Sequence, residues 1–218
     1  MPALPCALTK ALHLAMPILL GAALMLGSVP AWSVEFLDYD FSRYSQEITE
    51  CDRLAAHRLD PGAVAPPVSS KTMNKEAAIK ACHAAVEADP DNPRLNYQLG
   101  RAYGYSGRGE EAMPYRLKAV AADYPQSLFV IGHLYRIGST IDQDVCRTVD
   151  LWRRGARYRR LAALVALPRH YMRGEFDECG VEIPADELSA YLEEAARMSD
   201  DFYVDMLVED LLRELGAT

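Results

Sequence analysis

The chain has 218 residues, half of them apolar and a quarter charged, with 31 acidic against 23 basic side chains and a formal charge of −8. That length and apolar content suffice for one domain with a core of its own. The acidic balance favours solubility and excludes nucleic acid as the main partner.

Residues 1–33 read as a secretory signal peptide. Lys10 and His13 precede Leu14–Val29, a run that is apolar apart from Ser28 and broken by Pro17, and small residues follow in Pro30-Ala31-Trp32-Ser33. A weakly basic start, a short apolar segment and a small-residue end are the features of such a peptide, with cleavage after Ala31 or Ser33. The alternative, a retained anchor, is short for a span of ~20 residues and contains a proline. A membrane is therefore a partner only through this segment, if it is left uncleaved. The expected location is periplasmic or secreted, which further argues against nucleic acid. Cys6 precedes the apolar run and cannot be a lipidated first residue. Four cysteines remain, Cys51, Cys82, Cys146 and Cys179, an even number that suggests disulfides with three possible connectivities.

Residues 34–90 read as a helical hairpin interrupted by a proline-rich loop. From Tyr44, through Ile48, Cys51, Leu54 and Ala55, apolar residues recur at helical steps and predict a helix to His57. Asp60–Ser70, DPGAVAPPVSS, is a loop. Asn74 then caps a helix whose inner face is Ala77, Ala78, Ala81, Cys82, Ala85 and Val86.

Residues 91–198 read as helix pairs. Pro90 and Pro93 end one helix and begin Arg94–Tyr105; the turn Gly104–Gly109 leads into Glu110–Asp123, with Pro114 early in it. Ser127–Gly138 and Val145–Ala156 follow, then Tyr158–Met172, a polar loop Gly174–Gly180, and Asp186–Met198. Residues 199–218 hold one further helix carrying Phe202, Met206, Leu207, Leu211 and Leu215, a C-terminal cap.

The pairs repeat. Gly100 and Gly132 lie 32 residues apart, as do Tyr103 and Tyr135; Tyr135 and Tyr171 lie 36 apart, as do Ala112 and Thr148. Such periods with two helices per unit define an all-α chain, an α-solenoid of antiparallel helix pairs. Leu99-Gly100-Arg101-Ala102-Tyr103, with Ala112 and Ala119, is similar to the tetratricopeptide pattern. Ile131-Gly132-His133-Leu134-Tyr135-Arg136-Ile137-Gly138, then Gln143-Asp144-Val145 and Leu151-Trp152-Arg153-Arg154-Gly155-Ala156, resembles the Sel-1-like repeat. Val145, Thr148 and Gly155 depart from that pattern, and Pro168 stands for the glycine in the third unit. The segment Glu50–Ala56 resembles the first helix of exported bacterial proteins with such repeats.

The resemblance implies a scaffold. With the units in register, Cys51 and Cys82 fall on the two helices of the first hairpin, while Cys146 and Cys179 fall on one edge of neighbouring repeats. The expected disulfides are Cys51–Cys82 and Cys146–Cys179, a pairing that resembling proteins with stapled repeats support; each is worth about 3–4 kcal/mol in the loop-entropy account. The competing zinc site, from Cys51, His57, Cys82 and His83, would need adjacent Cys82-His83 ligands, an unusual spacing; no metal or other cofactor is expected.

In tetratricopeptide-like repeats the first helices line the concave face. Taking Gly100, Gly132 and Pro168 as equivalent, that face carries Arg94, Tyr97, Arg101, Phe129, His133, Arg136, Arg169 and Arg173. A cationic stripe on an acidic protein suits a protein or peptide partner, acidic or carboxylate-bearing, held by arginine forks. Paired with acids of adjacent helices, the same arginines would be structural. Arg153, Arg154, Arg157, Arg159 and Arg160 form a second cluster, which suits a helix C-terminus and its neighbours better than an anionic surface. No G-x-S-x-G, H-E-x-x-H or P-loop is present, so the expectation is binding without catalysis; the alternative is a cell-wall-active or β-lactam-hydrolysing enzyme, an activity attributed to some proteins with this repeat.

Overall fold

The computed structural model describes residues 34–217. The expected signal peptide lies outside the described residues. Among the described residues nine α-helices follow one another: α1 Glu50–Ala55, α2 Lys75–Ala88, α3 Pro93–Tyr105, α4 Gly109–Ala121, α5 Pro125–Ile137, α6 Val145–Arg157, α7 Leu161–Tyr171, α8 Ala185–Met198 and α9 Phe202–Glu214. Each packs on the next, and the pairs α3–α4 and α5–α6 share the most extensive contacts. No strand occurs among the described residues. The described residues form an all-α stack of antiparallel helix pairs closed by a single terminal helix.

Local chemistry sets the helix ends. Asn74, Asn92, Asp144 and Asp201 each turn a side-chain oxygen onto backbone N–H groups in the first turn of α2, α3, α6 and α9, satisfying donors that have no intrahelical partner. Pro93 and Pro125 occupy first helical positions, where no N–H is needed.

The core runs along the stack rather than around one centre. At the N-terminal end Cys51, Ala78, Ile79, Cys82, Leu95 and Leu99 pack together. At the other end Trp152, Leu164, Leu167, Tyr191, Leu192 and Val208 do so. Gly132 explains how the indole enters: a Cβ there would lie 2.5 Å from Trp152 Cδ1. The indole N–H donates to the Phe129 carbonyl at 3.0 Å, and Thr148 Oγ1 donates to the Gly132 carbonyl at 3.0 Å. The other repeat glycine, Gly100, is approached instead by the Arg116 stem, 2.6 Å from a notional Cβ.

Both expected disulfides are formed, Cys51–Cys82 with Cα atoms 4.4 Å apart and Cys146–Cys179 with Cα atoms 5.2 Å apart. The first joins α1 to α2; the second ties the start of α6 to the loop after α7. Their sulfurs are thereby unavailable as thiolate ligands to a metal.

Two expectations need correction. The helix expected from Tyr44 begins only at Glu50, where Thr49 and Asp52 form a capping box. Before it, the carbonyls of Ser45 and Glu47 accept hydrogen bonds from Arg94 Nη1 and Nη2 at 3.0 and 3.1 Å, and Ser45 also accepts from Asn92. These tertiary donors take the carbonyls that a helix would have used. Helix α7 starts at Leu161 rather than Tyr158, because Arg159 adopts a left-handed φ of 53° and the Arg160 N–H turns back to the Gly155 carbonyl.

Residues 34–49 form a strap instead. Phe36 meets the Tyr191 ring of α8 at 6.1 Å, and the Leu37 N–H donates to the Arg157 carbonyl at 2.8 Å. Tyr39 donates to the Ala122 carbonyl at 3.0 Å and packs edge-on against Tyr124 and Tyr158. Ser45 and Glu47 then reach the α2–α3 junction. The strap crosses the turns α6–α7, α4–α5 and α2–α3 in succession, fastening three joints of the stack.

Candidate binding groove and its cavity

The first helices α3, α5 and α7 carry the face on which the eight groove residues were expected. At the α3 end that face is closed. Arg94 is 3% exposed, with Nε 2.9 Å from Asp52 Oδ1 though not aligned as a hydrogen bond, and its Nη groups hold the strap. Arg101 is 5% exposed and donates to the carbonyls of Ala55, Ala56 and Val68. Tyr97 is buried and accepts from Gln126 at 3.0 Å. The expectation that these three present themselves to a partner is corrected: segments 45–56 and 68 take the guanidinium donors of Arg94 and Arg101, and Tyr97 is packed against Tyr124 and Gln126.

The α5–α7 end is different. Phe129, His133, Arg136 and Arg169 are half-buried and Arg173 is exposed. Arg136 Nη1 donates to Glu175 Oε2 at 3.2 Å, and the other oxygen of Glu175 meets His170 Nδ1 at 2.6 Å. Burial, then Arg136 and His170, push the His133 pKa below the usual imidazole range. Burial likewise lowers His170, against the opposing pull of Glu175. Phe129 stacks on Trp152 with centroids 5.8 Å apart. Arg169 makes no salt bridge among the described residues, and its Nε is buried without a partner.

Residues absent from the expected stripe complete the site. Gln126, at the start of α5, is nearly fully buried; it bridges Tyr97 to Arg160, whose Nε donates to Gln126 Oε1 at 2.5 Å. Asp60 is buried too, with Oδ1 accepting from Tyr124 Oη at 2.7 Å and from the Gly62 N–H at 3.0 Å. Burial raises its pKa to about 6, despite those hydrogen bonds and the nearby Arg160 and Arg94. His57 is shifted the other way, to about 4, by burial and then by Arg101, Arg160 and Arg58. Beside this network a cavity of about 560 Å³ opens between α7, the turn at Asp60 and the α8–α9 junction. Its signal in the sequence was weak: Asp60 reads as a turn residue, and Arg160 as one more member of an arginine run.

That run is largely paired. Arg153 bridges to Glu187 at 2.5 Å, Arg154 to Asp123 and Asp150, and Arg159 to Asp38 at 2.6 Å and Glu194 at 2.9 Å. These are contacts with the strap and with adjacent helices, as the structural reading of the cluster holds.

No protein-family model matches the chain, and comparison with curated proteins finds no match. Among solved structures, the chain is similar to a Sel1 repeat protein from Oxalobacter formigenes, at 15% identity and a TM-score of 0.43, over 72% of this chain and 83% of that one. A likeness at that level carries no argument by itself. The class that the stacked helix pairs described above define is an α-helical repeat fold.

Proposed function

We propose that the chain is an exported, periplasmic repeat scaffold that binds a protein or peptide through the α5–α7 part of its first-helix face. One observation carries this reading. The strap and the segment after α1 seal that face over α3, whereas over α5 and α7 Phe129, His133 and Arg169 stay partly accessible and Arg173 is exposed, with Arg169 lining a cavity. Two disulfides fit an oxidising compartment, and the charge of the N-terminal residues fits export. The partner's expected chemistry is acidic or carboxylate-bearing, matching the guanidinium groups there.

The reading is of a binder without catalysis. His170, held by Glu175, lines the cavity as an oriented imidazole could in a hydrolase, but among the described residues no hydroxyl or thiol side chain lines the cavity with it. Affinity capture from the native periplasm, with identification and cross-link mapping of what is retained, tests the proposal. The doubly reversed variant Arg169→Glu, Arg173→Glu is expected to lose the partner while its helical circular dichroism is unchanged. Undiminished capture by the folded variant would sink the reading.

A further inference from the structure

The wall of the 560 Å³ cavity is apolar where α7 and α9 supply it, through Leu161, Val165, Ala166 and Val204. Its volume falls within the ~300–1,000 Å³ of pockets that enclose small ligands or single anchoring groups. Four arginines also line it, Arg58, Arg159, Arg160 and Arg169.

Arg160 is the informative one. It is 3% exposed, its Nε is committed to Gln126, and its guanidinium lies over the Phe129 ring at 5.4 Å. Its two Nη groups have no hydrogen-bond partner among the described residues, and it forms no salt bridge among them. Burial pulls its pKa down, the mark of a cation whose lost hydration is not fully replaced. Arg169, with its unpartnered Nε, repeats the pattern one helix length away on α7.

Three acids line the cavity as well, Asp60, Asp200 and Asp201, and none pairs with Arg160 among the described residues. Asp201 is occupied in capping α9, accepting from the Tyr203 and Val204 N–H groups. Asp60 directs Oδ1 to Tyr124 and Gly62 and leaves Oδ2 buried without a partner. Arg159, also at the rim, is engaged by Asp38 and Glu194.

We infer that this cavity is a subsite for a carboxylate carried on an apolar group of limited size, the carboxylate accepting from the Nη groups of Arg160 and the apolar group lying against Leu161, Val165 and Val204. A planar guanidinium with two unused donor groups matches a carboxylate's two oxygens. The inference deepens the groove reading and rests on it for the remainder of the ligand. Such a group is either the terminal residue of a peptide or a free acyl acid.

The test uses the full chain and two pools of octapeptides ending in leucine and random elsewhere, one with a free terminal carboxylate and one amidated. A second arm compares octanoate with octan-1-ol. Preference of about tenfold for the acid pool over the amide assigns a peptide terminus; the same preference for octanoate over the alcohol, without one between the pools, assigns a free acyl acid. Arg160→Gln is expected to abolish the preference. Ala162→Trp fills the cavity from a position outside the core and leaves every charge in place. It is expected to weaken the acid probe about tenfold, and it serves where Arg160→Gln fails to fold. Equal binding of acid and neutral forms overturns the subsite and leaves the groove reading intact. Binding of no peptide pool, with no discrimination by octanoate, overturns both. An undiminished preference in folded Arg160→Gln, or undiminished binding of the acid probe by folded Ala162→Trp, overturns the placement.

Discussion

At the scale of single residues, the molecule is governed by what happens to charges that leave water. Asp52 and Arg94 show the satisfied case: both are buried, and the pair also fixes the strap and the cap of α1. Asp60 and His57 show the opposed case, in which burial favours the neutral form of each. The folded-state pKa of Asp60 is raised to about 6, so its stabilising contribution is fully present below the ordinary carboxylate range and is lost as pH rises through about 6. His57 is lowered to about 4, so its contribution is present above the ordinary imidazole range and is lost as pH falls through about 4. Between those values the two slopes have opposite sign and partly cancel. Urea midpoints across that window, read as differences from the parent chain, should separate them. Asp60→Asn should make stability rise more steeply with pH, by on the order of 2 kcal/mol over the window. His57→Gln should tilt the profile the other way. Parallel profiles for parent and Asp60→Asn would show that the carboxyl is not protonated by burial.

At the scale of elements, the strap is what turns a row of helix pairs into one fastened body. Tyr39 is its central clasp, donating to Ala122 and packing against Phe41, Tyr124 and Tyr158. Tyr39→Ala should lower stability by about 2 kcal/mol, since the ring is partly rather than fully buried. Trypsin should then cut the strap at Arg43 before the stack unfolds. An unchanged urea midpoint would mean that the strap rests on the surface without holding it. The same element marks the limit of what could be read from the chain. Helices α2 to α9 were legible because period, caps and prolines agree within each segment. Residues 44–49 misled because their apolar spacing suits a helix, while the decisive partners, Asn92 and Arg94, lie more than forty residues away. The disulfides could be read once the repeat register placed their helices. Of the expected face, register placed Phe129, His133 and Arg169 at positions that stay partly exposed, yet it could not show that the chain's own N-terminal segment covers Arg94, Tyr97 and Arg101. Nor could it find Asp60 and Arg160, which enter the site from turns outside the helical repeat.

At the scale of the whole molecule, disulfides, strap and stacked cores combine into a frame in which many arginines are paired while Arg169 forms no ion pair among the described residues. The Cys51–Cys82 bond closes the first helix pair and Cys146–Cys179 links α6 to the loop beyond α7, each across about thirty residues, which limits the unfolded chain by roughly 3–4 kcal/mol apiece. A frame so held presents its remaining open face with little cost of ordering on binding. The open face is bounded by the strap-covered α3 at one end and by α9 at the other, with the cavity between. The claim that this face is the binding surface is tested most directly by amide hydrogen exchange of the disulfide-intact protein, with and without the material it retains from the periplasm. Protection confined to α5, α7 and the turn 57–62 is the predicted result. Protection confined to α4, α6 and α8, with α5 and α7 exchanging as before, would contradict the account.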